Sequence, residues 1–158
     1  SNSKLASAGW TNENVSGGSE KFELKKSSGN GYMQVAAYNT DENPMEVWLV
    51  SPAINLDNSE NEVLTFKTRA GFYQGDALSA YVSTNYSGDV KTATWTLVPA
   101  ELVDGPPSGY GGTFMSSGSI NISCLEDNVF VGFRYLGADG VITTTFQIDT
   151  FRVTGNLD

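Results

Sequence analysis

Glu62-Val63-Leu64-Thr65-Phe66-Lys67-Thr68-Arg69 alternates apolar and polar side chains with a period of two. Successive side chains of a strand leave opposite faces of the sheet, so Leu64 and Phe66 share one face and Lys67 and Arg69 the other. A stretch of this kind predicts a half-buried strand with its apolar side turned to a second layer. The same rhythm runs through the chain. Phe22-Glu23-Leu24-Lys25 alternates cleanly, residues 32–38 are β-compatible, and residues 77–84 put Leu78, Ala80 and Val82 on one face. With segments 47–50, 94–98, 120–122, 129–136 and 143–153, the pattern predicts about nine strands, the spacing of a β-sandwich. No stretch keeps an apolar 3.6 period for three turns, so helix is expected to be minor.

The last of these segments changes phase. Phe146 and Ile148 share a face, and strict alternation would continue to Thr150 and Arg152, yet the apolar residues are Phe151 and Val153. One extra residue near Asp149-Thr150, a β-bulge, restores the inward face. The alternative is a strand buried on both faces, where alternation is not required. The bulge is the preferred reading. The longest stretch without strand signals, 99–119, holds Asp104-Gly105-Pro106-Pro107-Ser108-Gly109-Tyr110-Gly111-Gly112. A loop of that length in a small domain is functional or disordered.

The chain has 158 residues, of which 39% are hydrophobic, enough for one domain spanning 1–158 with a sizeable core. Histidine is absent and Cys124 is the one cysteine. That excludes Ser-His-Asp and Cys-His catalysis, His-based zinc sites and an intrachain disulfide. Without an imidazole to activate it, Cys124 is expected to be a small buried or half-buried side chain. Eighteen acidic against nine basic residues give a net charge of −9, which opposes nucleic acid and anionic membrane surfaces as partners. No apolar run approaches the roughly 20 residues of a membrane-spanning helix. The chain opens Ser1-Asn2-Ser3-Lys4 without Met, as expected of a piece excised from a larger exported protein.

Carboxylates are the main acid–base groups left, but most of them sit in turns, where Asp serves the backbone. A glycosidase needs two carboxylates at a set separation, and the sequence does not bring two together. Oxygen ligands suit Ca²⁺. Asn39-Thr40-Asp41-Glu42-Asn43 concentrates side-chain oxygens in one loop, and Asp149 at the suspected bulge could join it from the far end of the chain. Asp149, Asp41 and Glu42 are therefore the candidate ligands of a structural Ca²⁺ stapling first strands to last. The other reading is solvated turn acids.

A sugar site needs flat rings turned outward beside planar polar groups, because sugars offer apolar CH faces and hydroxyls. Trp48, Phe66, Phe130, Phe133, Phe146 and Phe151 belong to the core by their strand context. Phe72 and Tyr73 follow a strand, with Gln74 and Asp76 close behind, and Tyr110 and Phe114 lie in the long loop. Phe72, Tyr73, Tyr110 and Phe114 are the candidate platform, with Gln74 and Asp76 as polar contacts. The competing reading has these rings capping the ends of the sandwich.

An ordered series of short motifs resembles the choice-of-anchor J domain, a relative of the cleaved adhesin domains of Bacteroides-type surface and secreted proteins. The series is Gly9-Trp10-Thr11-Asn12, then Trp48-Leu49-Val50-Ser51-Pro52-Ala53-Ile54-Asn55-Leu56, Val63-Leu64-Thr65-Phe66, Gly75-Asp76-Ala77-Leu78, Tyr81-Val82-Ser83-Thr84-Asn85-Tyr86-Ser87-Gly88-Asp89 and Gln147-Ile148-Asp149-Thr150-Phe151-Arg152-Val153. The resemblance implies a jelly-roll β-sandwich, galactose-binding or MAM-like, similar to carbohydrate-binding modules. It also implies structural Ca²⁺ near the closing strand, with Asp149 a ligand, and no catalytic residues. The expected function is a non-enzymatic binding or adhesion module on the bacterial outer surface or secreted, with a glycan or a host or surface protein as partner. A structural spacer beside a catalytic domain is the alternative, and a carboxylate-based glycosidase the third.

Overall fold

The computed structural model describes residues 2–157, so Ser1 and Asp158, the ends of the expected 1–158 domain, lie outside the described residues. A short helix α1 (Asn2–Ser7) opens it. Twelve strands follow: β1 (Thr11–Asn14), β2 (Glu23–Ser27), β3 (Asn30–Val35), β4 (Met45–Val50), β5 (Ile54–Asn55), β6 (Ser59–Gly71), β7 (Leu78–Ser83), β8 (Thr96–Leu97), β9 (Met115–Ser116), β10 (Ile120–Asn121), β11 (Asn128–Gly137) and β12 (Thr145–Leu157). One sheet runs β1-β4-β11-β7-β8, with β5 on β11. The other runs β10-β6-β12-β3-β2, with β9 on β6. Every pairing is antiparallel. The protein is thus an all-β sandwich of two sheets, and among the described residues no helix is long and apolar enough to cross a membrane.

Alternation places the core. Along β6, Leu64, Phe66, Thr68 and Ala70 are buried while Lys67 is exposed. Phe66 meets Phe133 of the opposite sheet edge-on, ring centres 4.9 Å apart. The bulge lies where the phase change puts it. Asp149 pairs with Lys67 but Arg152 pairs with Thr65, which leaves one extra residue on β12, and Thr150 takes the left-handed φ of 52°. Phe146 and Ile148 point inward before it, and Phe151 packs half-buried against Trp10 and Phe133 after it.

Three expectations need correction. Among the described residues there are twelve strands instead of about nine. The additions are short or polar: β1 is Thr-Asn-Glu-Asn, half-exposed throughout and carried by its ladder to β4, so it shows no apolar period. The long loop is partly strand, since β9 pairs with β6 and Tyr110 bridges to Gly71. Cys124 is exposed, in the turn after β10.

The outer face of the first sheet is not bare. Trp48, Val50, Tyr86 and Val90 are buried there and packed by Tyr81, Trp95 and Phe130, so Phe130 belongs to this outer cluster and not to the central core. Gly132 is its floor: a Cβ at that position would come within 2.9 Å of the Trp95 ring and 3.0 Å of the Trp48 ring. Beside it, Glu46 Oε2 accepts from Arg134 Nε and Trp48 Nε1, both at 2.9 Å. Partial burial alone would raise the Glu46 carboxyl, but these two hydrogen bonds outweigh it and hold it below the ordinary range.

Candidate functional site

Strands β3, β12 and β6 are neighbours, and the register sets Thr145 opposite Gly71 and Phe146 opposite Val35. The exits of β6 and β3 and the entry of β12 therefore meet at one end of the second sheet. A cleft of about 740 Å³ opens there, lined by Gln34, Ala36, Tyr38, Phe72, Tyr73, Gln74, Pro107, Thr143 and Thr145. Tyr38 is 75% exposed and Phe72 50%, unusual for large rings that have somewhere to pack. Phe72 also holds φ at 48°, a left-handed conformation that is an outlier for a bulky side chain. Strain of this kind persists only where its surroundings impose it, and it gathers at functional sites. Here the Phe72 N–H donates to the Gly109 carbonyl at 2.9 Å, and its ring stands edge-on to Tyr110 at 5.4 Å.

Hydrogen bonds tie the frame of the cleft together. Tyr73 N–H donates to Pro106 O at 2.8 Å and its hydroxyl bonds the Asp76 carboxylate. Gln74 N–H donates to Thr144 Oγ1 at 2.8 Å, and Thr143 Oγ1 donates to Gln74 Oε1 at 2.7 Å. Gln147 Nε2 donates to Gln34 Oε1 at 2.9 Å. Behind the cleft lies Tyr135, fully buried. Its hydroxyl donates to Thr144 O at 2.7 Å and accepts from Ala37 N–H at 3.0 Å. Burial pushes this phenol up to about 12, from an ordinary value of 10.0.

The sequence-predicted site residues divide. Phe72, Tyr73 and Gln74 line the cleft together. Tyr110 is exposed and edge-on to Phe72 but does not line the cleft. The Arg69 guanidinium lies 5.1 Å from its ring centre, and a Cβ on Gly71 would run into the ring. Phe114 is half-buried and packs on Tyr32, 6.0 Å away. Asp76 lines a separate, mostly apolar hollow with Pro44, Leu78, Leu136 and Ile142. Sequence reasoning missed Tyr38, Gln34, Thr143 and Thr145. Tyr38 ends a β-compatible run just before a turn, but nothing local marks it as exposed.

The three proposed metal ligands also separate. The Glu42 carboxylate accepts from Asn14 Nδ2 and from the N–H groups of Ser19 and Glu20. Burial would raise this carboxyl, and the hydrogen bonds more than offset it and lower it. Asp149 accepts from Asn30 Nδ2 and Thr150 N–H. Asp41 is exposed, and its loop is wound on the Asp139 carboxylate, which accepts from the N–H groups of Asp41 and Asn39 and is lowered by those bonds. Among the described residues no three Asp, Glu or Cys side chains gather so as to hold a metal ion, so Asp149, Asp41 and Glu42 do not fit a single ion as one set.

Residues 55–158 match the family DUF5017, a domain of unknown function. None of the curated proteins matches the chain. Among solved structures, the chain is similar to the K1 cleaved adhesin domain of Lys-gingipain from Porphyromonas gingivalis, with a TM-score of 0.65 at 18% identity over 94% of this chain and 92% of that one. The K3 cleaved adhesin domain of the same protein gives 0.59 at 17% identity, over 94% and 93%. The family 11 carbohydrate-binding module of a Clostridium thermocellum cellulosomal cellulase gives 0.50 at 10% identity, over 94% and 89%. At these identities the likeness is one of fold.

Proposed function

The chain belongs to the DUF5017 family, and we propose that it serves as a non-catalytic glycan-binding or adhesion module, one sandwich domain of a secreted or cell-surface bacterial protein. The observation that carries this reading is the cleft itself. Two exposed rings, Tyr38 and Phe72, one of them on strained backbone, stand beside planar amides and hydroxyls. That is the chemistry of sugar recognition, where rings cover CH faces and planar polar groups meet hydroxyls. No carboxylate lines the cleft, so the acid pair of a glycosidase has no counterpart there. The sandwich shared with cleaved adhesin domains and a carbohydrate-binding module supports the reading as fold analogy. The closer kinship to choice-of-anchor J domains, a galactose-binding or MAM-like subtype and an extracellular address are part of the same proposal, resting on the motif order.

A glycan array followed by calorimetry tests it. Wild type is expected to bind at least one glycan, and Phe72→Ala and Tyr38→Ala to weaken that binding about tenfold each, as for rings at the centre of an interface. Absence of any glycan binding refutes the proposal. One observation favours a protein partner instead: the hollow of about 480 Å³ holding Pro44, Leu78 and Ile142 has Leu136 and Val141 exposed beside it. Capture of a protein partner that Leu136→Ser abolishes, without glycan binding, would establish that second reading. Structural Ca²⁺ is a separate proposal supported by the oxygen-rich loop around Asp41. Thermal melts that coincide with chelator and with added Ca²⁺ remove it.

A further inference from the structure

The cleft has a hydrogen-bonding polarity. Gln34 enters it from β3 and Gln74 from the loop after β6, and each has its side-chain oxygen already engaged, by Gln147 Nε2 and by Thr143 Oγ1. A carboxamide fixed through its oxygen presents its NH₂ group, which carries two donors. Among the described residues neither NH₂ group has a protein partner. No cation lines the cleft. Arg69, level with Gln147 on the neighbouring strand, gives its Nε to Gly111 O at 2.8 Å and lies against Tyr110. The nearby carboxylate, Asp76, is tied to the Tyr73 hydroxyl.

Gln147 adds an independent observation. It is 3% exposed, and its Oε1 has no partner. The bond to Gln34 uses the Gln147 NH₂ group and leaves the carbonyl oxygen of this buried amide unpaired. An unmade bond in a buried site is costly, so the sandwich would gain from an apolar side chain of similar length there. What Gln147 does in return is hold the Gln34 amide.

We infer, on the premise of the glycan-binding reading above, that the cleft takes an uncharged sugar and reads its oxygen acceptors through these amides. Gln34 and Gln74 determine specificity, and Gln147 is a positioning residue for Gln34. Hydroxyl, ring and acetamido oxygens of a neutral glycan accept from N–H groups while its CH faces lie on Phe72 and Tyr38. A uronic acid would bring a carboxylate to a chain of net charge −9 at a site with no cation to receive it.

Affinity electrophoresis in β-glucan, galactan and mannan, and in polygalacturonate and alginate, tests the class. Retardation is expected in at least one neutral polymer and in neither polyuronate. In the neutral polymer that retards most, Q34E and Q74E are expected to weaken binding at least tenfold with melting temperatures near wild type. Q34N takes the place of Q34E should that variant not fold. Q147M is expected to raise the melting temperature yet weaken binding severalfold, a pair of opposite effects that a merely structural residue would not give. Equal retardation in a polyuronate, or unchanged affinity in Q34E and Q74E, overturns the inference while the glycan reading stands. Unchanged affinity in Q147M overturns the positioning role. No retardation in any polymer overturns the glycan reading and the inference with it.

Discussion

Removing one oxygen atom, in Tyr135→Phe, tests whether the core holds the site together. The Tyr135 hydroxyl donates to Thr144 O and accepts from Ala37 N–H, and both residues are fully buried. Phe keeps the ring and its packing but leaves one N–H and one C=O without partners. Each of the two buried orphans costs about 1–3 kcal/mol, so the expected loss is about 2–6 kcal/mol. For a chain of this size that lowers the melting temperature by roughly 4–24 °C. Ala37 sits between Ala36 and Tyr38, and Thr144 between Thr143 and Thr145, and all four flanking residues line the cleft. Weaker ligand binding should therefore accompany the loss of stability.

The pH dependence gives a second, independent signature. The folded phenol is pushed up to about 12 from an ordinary 10.0, so the unfolded chain releases its proton first. The stabilisation is complete below pH 10 and is lost as pH rises toward 12. Two units correspond to about 3 kcal/mol. Urea denaturation of wild type and Y135F at pH 8, 10 and 11.5, with unchanged slopes, measures both effects. Wild type should lose its advantage over Y135F across the alkaline range. A difference below about 0.5 kcal/mol at pH 8, set against the orphan cost above, refutes the reasoning. So does a parallel decline of the two proteins between pH 10 and 12.

Gly132→Ala would drive a methyl group into the Trp95 and Trp48 rings, and a loss of about 1–3 kcal/mol in urea denaturation is expected from overpacking. A wild-type midpoint would show that the two rings can shift at no cost. Glu42→Gln should reduce stability at neutral pH and flatten the acid side of the stability profile. The Glu42 carboxyl is lowered in the folded state, so its contribution is present above the ordinary carboxylate range and lost as pH falls through it. Superimposable acid profiles of the two proteins would refute this. Asp139→Ala should speed amide exchange at Asn39 and Asp41, whose N–H groups it accepts, and unchanged protection there would count against the anchoring.

Strand periodicity by itself determined the all-β class, the inward phase of Leu64 and Phe66, and the bulge at Asp149-Thr150. These are period-two properties, and a period is written within a few consecutive residues. The position of Phe72, Tyr73 and Gln74 after a strand was legible for the same reason. The polar strand β1 was not, because its stability comes from ladder hydrogen bonds to β4 and half-exposed edges need no apolar rhythm. The outer cluster of Trp48, Trp95 and Tyr86 was hidden because strand context marks Trp48 as buried without saying on which face of the sheet, and only the return of the segment after β7 covers that face.

The tertiary structure alone decided the cleft. Gln34 meets Gln147 across 113 residues of sequence, Gln74 meets Thr143 across 69, and Tyr135 meets Ala37 across 98. No local pattern encodes such pairs, because each depends on the register of strands far apart in the chain. Tyr110 and Phe114 show the converse. Their ring chemistry suited a platform, but tertiary packing set Tyr110, exposed, against Arg69 and Phe72 outside the cleft lining and left Phe114 half-buried on Tyr32. Residue type, readable in the sequence, limits the chemistry a position can perform, whereas exposure and partners, which select among those possibilities, are set when the two sheets close on one another.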